Sequence, residues 1–244
     1  MIADGALEQV DVIYGVHLWS PFPIGSVYCK AGAMMASPDE FTIEIQGKGG
    51  HGGLPQDTID SILVSSQLIV NLQSIVSRNI SPIDPAVVSV GTIHGGSSFN
   101  AIAGKCEITG TVRTFNKDTR NFIIERMEQI SHNTCAAFGA KCKFSYKLGY
   151  PPVINHEKEN ERFVKVGTDL FGEKQTKQSP LIMAGEDFSY YLQQVPGCFM
   201  FVGAGNEDKG IVAPHHHPQF DIDEEAMQKA ALLLIGMAFD YLNS

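Results

Sequence analysis

Between residues 38 and 149 the hydrophobic period switches repeatedly, and the order of those switches restricts the fold more than any other feature. Phe41, Ile43 and Ile45 alternate with Thr42, Glu44 and Gln46, the period-two signature of a half-buried strand. Thr58 to Arg78 carries Ile59, Ile62, Leu63, Leu68, Ile69, Leu72 and Val76 at helical spacing, with Asp57 placed to cap it. Ala86 to Ile93 is a Val-rich strand, and Cys106, Ile108, Gly110 and Val112 alternate in the next. Asn116 is placed to cap a helix running to about Phe138, and Cys142, Phe144 and Tyr146 share one face of a last strand. The order β-α-β-β-α-β predicts a ferredoxin-like domain over 38–149.

The flanks, 1–37 and 150–244, read as two parts of one α/β domain. Val10 to Leu18 is an apolar run typical of a buried strand, and Gly25 to Met35 is extended. A helix is predicted from about Glu157 to Phe171, a turn at Gly185-Glu186-Asp187-Phe188, a buried strand over Cys198 to Val202 and a glycine turn at Gly203-Ala204-Gly205. The last helix runs from about Asp223 to Tyr241, with acidic residues in its first turn where the helix dipole favours them.

Composition narrows the partners. The 244 residues are 43% hydrophobic and 18% charged, ordinary for a globular chain, and carry a net charge of −9. Such a balance argues against nucleic acid, whose phosphates demand clustered Lys and Arg. No apolar run reaches the roughly 18 residues of a membrane span. The N-terminus shows no signal-peptide pattern. Cys29, Cys106, Cys135, Cys142 and Cys198 form no C-x-x-C pair and read as reduced, mostly buried thiols, so the expected compartment is the cytoplasm.

Several residues stand out chemically. His17 lies near the end of an apolar strand, where ligands collect in open α/β sheets; by pattern alone it reads more readily as a core histidine held by a backbone carbonyl. Pro214-His215-His216-His217-Pro218 places three imidazoles between stiffening prolines, which suits a metal site or a solvated polar loop equally. His51 stands in the glycine-rich run Gly47 to Gly53, which lacks the G-K-[ST] ending of a phosphate loop. Arg113 sits in a strand of small and apolar residues, either facing a carboxylate or exposed. Glu186 and Asp187 are adjacent carboxylates at a turn, an arrangement more often a cap. No G-x-S-x-G nucleophile elbow occurs.

Taken in order, these segments resemble the aminoacylase/carboxypeptidase G family of zinc-dependent amidohydrolases, which includes hippurate and auxin-conjugate hydrolases. The resemblance rests on Gly15-Val16-His17-Leu18-Trp19, Lys48-Gly49-Gly50-His51, Gly91-Thr92-Ile93-His94-Gly95-Gly96 through Phe99-Asn100, and Gly110-Thr111-Val112-Arg113-Thr114-Phe115. It continues through Gly185-Glu186-Asp187-Phe188 and Pro214-His215-His216-His217-Pro218-Gln219-Phe220, and so covers essentially the whole chain. Ala103 departs from it, standing where the family usually has Pro.

The resemblance implies a metallopeptidase-type α/β catalytic domain with the ferredoxin-like domain inserted as a lid and homodimerisation unit. It implies His17 and His216 as ligands of a divalent metal (zinc, manganese or cobalt), the latter from the pattern P-x-H-x-P-x-F. His51 would polarise the scissile carbonyl, often that of the partner subunit's substrate. Asn100 and Arg113 would bind the substrate carboxylate or the oxyanion, and Gly203 and Gly205 would line the pocket. The implied substrates are N-acyl amino acids or similar small amides. Family members also carry a C-G-H-D-x-H motif and a Glu-Glu pair, which supply further ligands and the general base and have no counterpart in this sequence. The competing expectation is therefore a catalytically incompetent fragment or remnant of such an enzyme.

Overall fold

The computed structural model describes all 244 residues. The chain divides into two compact units. One comprises Met1–Met35, Pro152–Ile182 and Glu186–Ser244; the other comprises Ala36–Pro151 with Met183–Gly185.

The unit begun at Ala36 is a four-stranded antiparallel sheet with two helices. Its strands lie in the order Ala86–Gly95, Lys105–Thr114, Ser37–Gln46, Lys141–Lys147. The helices Ser61–Ser74 and Lys117–Ala137 fill the two crossovers, which gives the β-α-β-β-α-β arrangement. Alternate residues of Ser37–Gln46 are buried, as the period of two requires. Phe41, Ile43 and Ile45 join Val64, Leu68 and Leu72 of one helix and Ile123 and Met127 of the other in one core. Full burial of each such side chain contributes about 1.5–3 kcal/mol. Gly110 lies opposite Phe41, and a Cβ there would meet the Phe41 ring at 2.3 Å and the Ser89 carbonyl at 2.2 Å. The missing side chain is therefore space for the Phe41 ring.

The first of these helices starts later than its hydrophobic spacing predicts. Pro55–Asp57 forms a separate 3-10 turn, and the cap is Asp60, whose Oδ1 accepts from the amides of Ile62 at 2.9 Å and Leu63 at 3.2 Å. Asp57 cannot serve because Pro55 turns the chain before the helix axis is set. Asp60→Ala should cost about 1 kcal/mol in urea unfolding, whereas Asp57→Ala should change little; equal effects would contradict this assignment. Asn116 caps the second helix as its position predicts, accepting from Asp118 N at 2.7 Å.

The other unit is built on a four-stranded mixed sheet, in the order Ile13–Pro23, Gly197–Gly205, Val27–Cys29, Thr176–Gln178. Helices Glu157–Phe171 and Glu225–Leu242 pack with it through Phe163, Val166, Leu233 and Met237 against Val27, Cys29, Cys198, Met200 and Val202. Every residue of Gly197–Gly205 is buried. Gly203 and Gly205 are the end of this strand rather than a turn, because the carbonyls of Pro23 and Ser20 run alongside. A Cβ would lie 2.0 Å from the first at Gly203 and 2.2 Å from the second at Gly205.

The strand Ile13–Pro23 is only half-buried along most of its length, unlike the buried strand its apolar run suggests. It pairs in parallel with Gly197–Gly205 and forms the edge of the sheet, so one side of its backbone is open. All five cysteines are free and only Cys142 is not buried. No helix is long and apolar enough to cross a membrane.

Candidate metal centre and active site

The end of the parallel pair Ile13–Pro23 and Gly197–Gly205 carries His17 level with Phe201 and Trp19 level with Gly203. His17 is half-buried among Trp19, Phe199 and Phe201. Its Nδ1 lies 2.7 Å from the Leu18 carbonyl, so that nitrogen carries the proton and donates. The Nε2 lone pair is then the one left for a ligand, the usual state of a metal-binding imidazole. The backbone-held reading of His17 is the one the structure shows, and it leaves Nε2 open.

Pro214 to Phe220 forms a loop over the same strand end. Its three imidazoles have different surroundings. His215 Nε2 accepts from Ser20 N at 3.2 Å, and its ring lies 4.6 Å from Trp19, 4.7 Å from Phe220 and, edge-on, 5.1 Å from His17. Burial, then the charges of His17 and His216, hold His215 below the ordinary imidazole range. His217 Nδ1 accepts from Gln219 N at 3.1 Å. His216 is exposed, its ring makes no hydrogen bond within the protein, and its backbone has φ of 68°. Left-handed backbone at a residue other than glycine is uncommon and clusters at functional positions.

Gly185 to Phe188 reaches this region through Phe188, which packs on Phe199 at 5.3 Å between centroids. A Cβ at Gly15 would meet Phe199 at 2.7 Å and Phe188 at 2.8 Å. Gly15 is therefore bare so that Phe188 can lie across the strand carrying His17, which ties two distant sequence motifs together. Glu186 accepts from Phe188 N at 3.3 Å. Burial raises its carboxyl above the usual range, and the hydrogen bond with Asp187 raises it further; the Phe188 amide and the charge of His17 oppose the rise.

The remaining candidates lie in the unit that comprises Ala36–Pro151. His51 and Ala101 are paired residues of a short two-stranded ladder, which places His51 beside Asn100; Gly52 N donates to Asn100 O at 2.8 Å. Both side chains are exposed. His51 Nδ1 accepts from Gly53 N at 2.9 Å, leaving Nε2–H pointing away as a donor. Asn100 Oδ1 takes the Ser98 hydroxyl at 2.7 Å, so its amide NH2 stays available. Arg113 is elsewhere: it pairs with Pro38, whereas the His51 ladder follows the Gln46–Lys105 end of the sheet. Eight residues of strand separate those rungs, about 26 Å. Arg113 makes no ion pair; it donates to Thr111 Oγ1 and to the Val112 carbonyl. The carboxylate that its strand environment suggested is not within reach.

The model of the peptidase family M20/M25/M40 matches residues 1–240. The chain belongs to that family. YhaA of Bacillus subtilis is 44% identical over 241 residues, 99% of this chain and 61% of YhaA. The N-acetyl-L-cysteine deacetylase of the same organism is 39% identical over 251 residues, 100% of this chain and 57% of the deacetylase. The crystal structure of the B. subtilis YXEP protein, a dinuclear metal-binding peptidase of the M20 family, superposes with a TM-score of 0.81 at 31% identity, covering 99% of this chain and 60% of that one. The chain thus spans about three-fifths of the length of these relatives.

The M20 frame sets a test for a divalent ion. His17 offers a free Nε2 and His216 a ring without internal partners, which suits a borderline-soft cation. No group of three or more His, Cys, Asp and Glu side chains is placed to hold one ion. The two imidazoles fit as contributors to a metal centre and do not make up a whole one. Sequence reasoning singled out His215 within the triplet but missed Ser20 and the bond that joins them. The adjacency of Ser20 to Trp19 was a weak signal, since a backbone amide's partner leaves no trace in the residue type.

Proposed function

We propose that this chain carries two metal ligands of a hydrolase that cleaves the amide bond of N-acyl amino acids. The observation behind this reading is the convergence of His17 and the Pro214–Phe220 loop on one strand end, with one imidazole nitrogen left open on each of His17 and His216. The N-acetyl-L-cysteine deacetylase relative supports the substrate class. When bound, divalent ions polarise the amide carbonyl and lower the pKa of bound water towards about 7.

The chain's own residues do the rest by position. His17 and His216 would hold the ions through imidazole nitrogens. His51 donates from Nε2 to the carbonyl oxygen as negative charge grows on it, and the Asn100 amide adds a second donor. Arg113 takes the substrate carboxylate. Gly205 lines a cleft of about 460 Å³ beside Ser20 and Phe22, and Gly203 lies two residues before it in the same strand. In a hydrolase whose metal centre these two ligands help to complete, hydrolysis of N-acetyl and N-benzoyl amino acids should stop with a chelator and return with zinc, manganese or cobalt. Turnover indifferent to the chelator would overturn the reading.

The distance of about 26 Å from the Arg113 rung to the His51 end prevents both from gripping one small substrate from the same lid. We assign His51 and Asn100 to the site of a second copy because the family resemblance implies it, and with them the protein to a homodimer. The strand Ala86–Gly95 supports this: it is an edge strand, exposed from Gly91 to Gly95, with Ile62 and Ile93 exposed beside it. Sedimentation at micromolar concentration should give a dimer, and Ile93→Lys should shift it to monomer. A wild-type monomer would contradict the assignment.

A further inference from the structure

His215 is a half-buried imidazole in contact with both arms of the candidate metal centre, yet none of its features suit a ligand. Its Nε2 is occupied by Ser20 N at 3.2 Å. Its faces are covered by Trp19 at 4.6 Å, with the rings 29° apart, and by Phe220 at 4.7 Å. It stands edge-on to His17 at 5.1 Å and is joined directly to His216 in the chain. A second bond between the same segments, from Ser20 Oγ to the Ala213 carbonyl at 3.0 Å, fixes the loop just before the triplet.

We propose that His215 is a positioning residue: by accepting the Ser20 amide between Trp19 and Phe220, it fastens the loop to the strand end and sets where the His216 imidazole stands relative to His17. This rests on the reading of His17 and His216 as metal ligands. The physical case is one of compensation. His216 has φ of 68°, a strained backbone that persists only where its surroundings over-determine it. Its own ring makes no hydrogen bond within the protein, and it is exposed. The fixing must come from its neighbours, and of the two adjoining imidazoles only His215 reaches outside the loop; His217 bonds within it, to Gln219 N. The stacked faces hold the ring in plane, and the Ser20 amide sets its rotation. Partners that orient metal-binding side chains typically change metal affinity 10- to 100-fold when removed.

The protein carries its own reporter, because Trp19 is the one tryptophan in the sequence. Cu2+, the divalent first-row ion that nitrogen sites bind most tightly, quenches a nearby indole. Titrating the full chain with Cu2+ should give saturable quenching of Trp19. His17→Ala and His216→Ala should each abolish the saturable phase; if neither alters it, the ligand reading fails whatever His215 does. If they do abolish it, His215→Phe, which keeps the stack and removes the acceptor, should weaken the midpoint about 10- to 100-fold. His215→Gln, whose amide oxygen can accept from Ser20, should stay within about threefold, with both variants retaining the wild-type urea midpoint to within about 0.5 M. An unchanged midpoint in His215→Phe overturns the proposal. So does a His215→Gln loss as complete as that of His216→Ala, which would make His215 itself a ligand. Should His215→Phe not fold, Ser20→Pro deletes the amide donor while leaving every imidazole in place, and must give the same weakening.

Discussion

Asp39→Ala is expected to destabilise the four-stranded unit by about 3–5 kcal/mol, the usual loss when one member of a buried ion pair is removed. The carboxylate is fully buried. Arg120 grips it with both arms, Nε donating to Oδ2 at 2.7 Å and Nη2 to Oδ1. The Tyr146 hydroxyl donates to Oδ2 at 2.7 Å and the Gly149 amide to Oδ1 at 2.9 Å. Burial, and then the hydrogen bond to Asp39, push the Tyr146 hydroxyl far above the ordinary phenol range, so it remains a donor at any working pH. Four donors thus converge on two oxygens, and alanine strands a guanidinium, a phenol and an amide together. Asp39→Asn keeps the shape but loses the charge and turns a donor towards donors, so it should fall between alanine and wild type. Urea unfolding followed by circular dichroism measures both. A loss below about 1 kcal/mol for alanine would show that the pocket relaxes and admits water.

The second large effect is on activity. If the proposed reading holds, then in a hydrolase with its full ligand set His17→Ala and His216→Ala should each lower kcat/KM on N-acetyl amino acids at least about 10³-fold, equivalent to about 4 kcal/mol of transition-state stabilisation. His51→Ala should cost less, about 10²-fold, because removing one oxyanion donor leaves the metal's polarisation in place. The assay belongs in metal-supplemented buffer beside wild type, with metal content measured on each variant. Loss of activity with full metal occupancy in His17→Ala would show that this residue acts on substrate rather than on metal.

Much of the architecture was legible in the sequence because burial on one face imposes a period. The strand around Phe41 alternates cleanly since one side packs on helices and the other does not, and Asn116 marks its helix because a cap depends on local geometry alone. What stayed hidden depends on partners far along the chain. Asp39 lies just before the alternating run that begins at Phe41, while its partners come from positions 120, 146 and 149. The edge position of Ile13–Pro23 was equally hidden, because an apolar run looks the same whether one or both of its sides find a neighbour. At the site, residue type pointed to His17 and to the triplet, and spacing singled out His216 only through the family resemblance. The structure adds a physical distinction among the three imidazoles, since His215 and His217 are already bonded. Arg113 was placed by its strand surroundings and by the family resemblance, and neither tells that its rung lies at the opposite end of the sheet from His51.

The most direct measurement is anomalous scattering from crystals of the protein grown with zinc, recorded at the zinc edge. The expected result is density within about 2.0–2.1 Å of an imidazole nitrogen of His17 and of His216, in one peak or in two no more than about 4 Å apart. Density at neither histidine, or peaks more than about 10 Å from one another, would contradict a shared metal centre, because metal–nitrogen bonds of about 2 Å cannot bridge that gap.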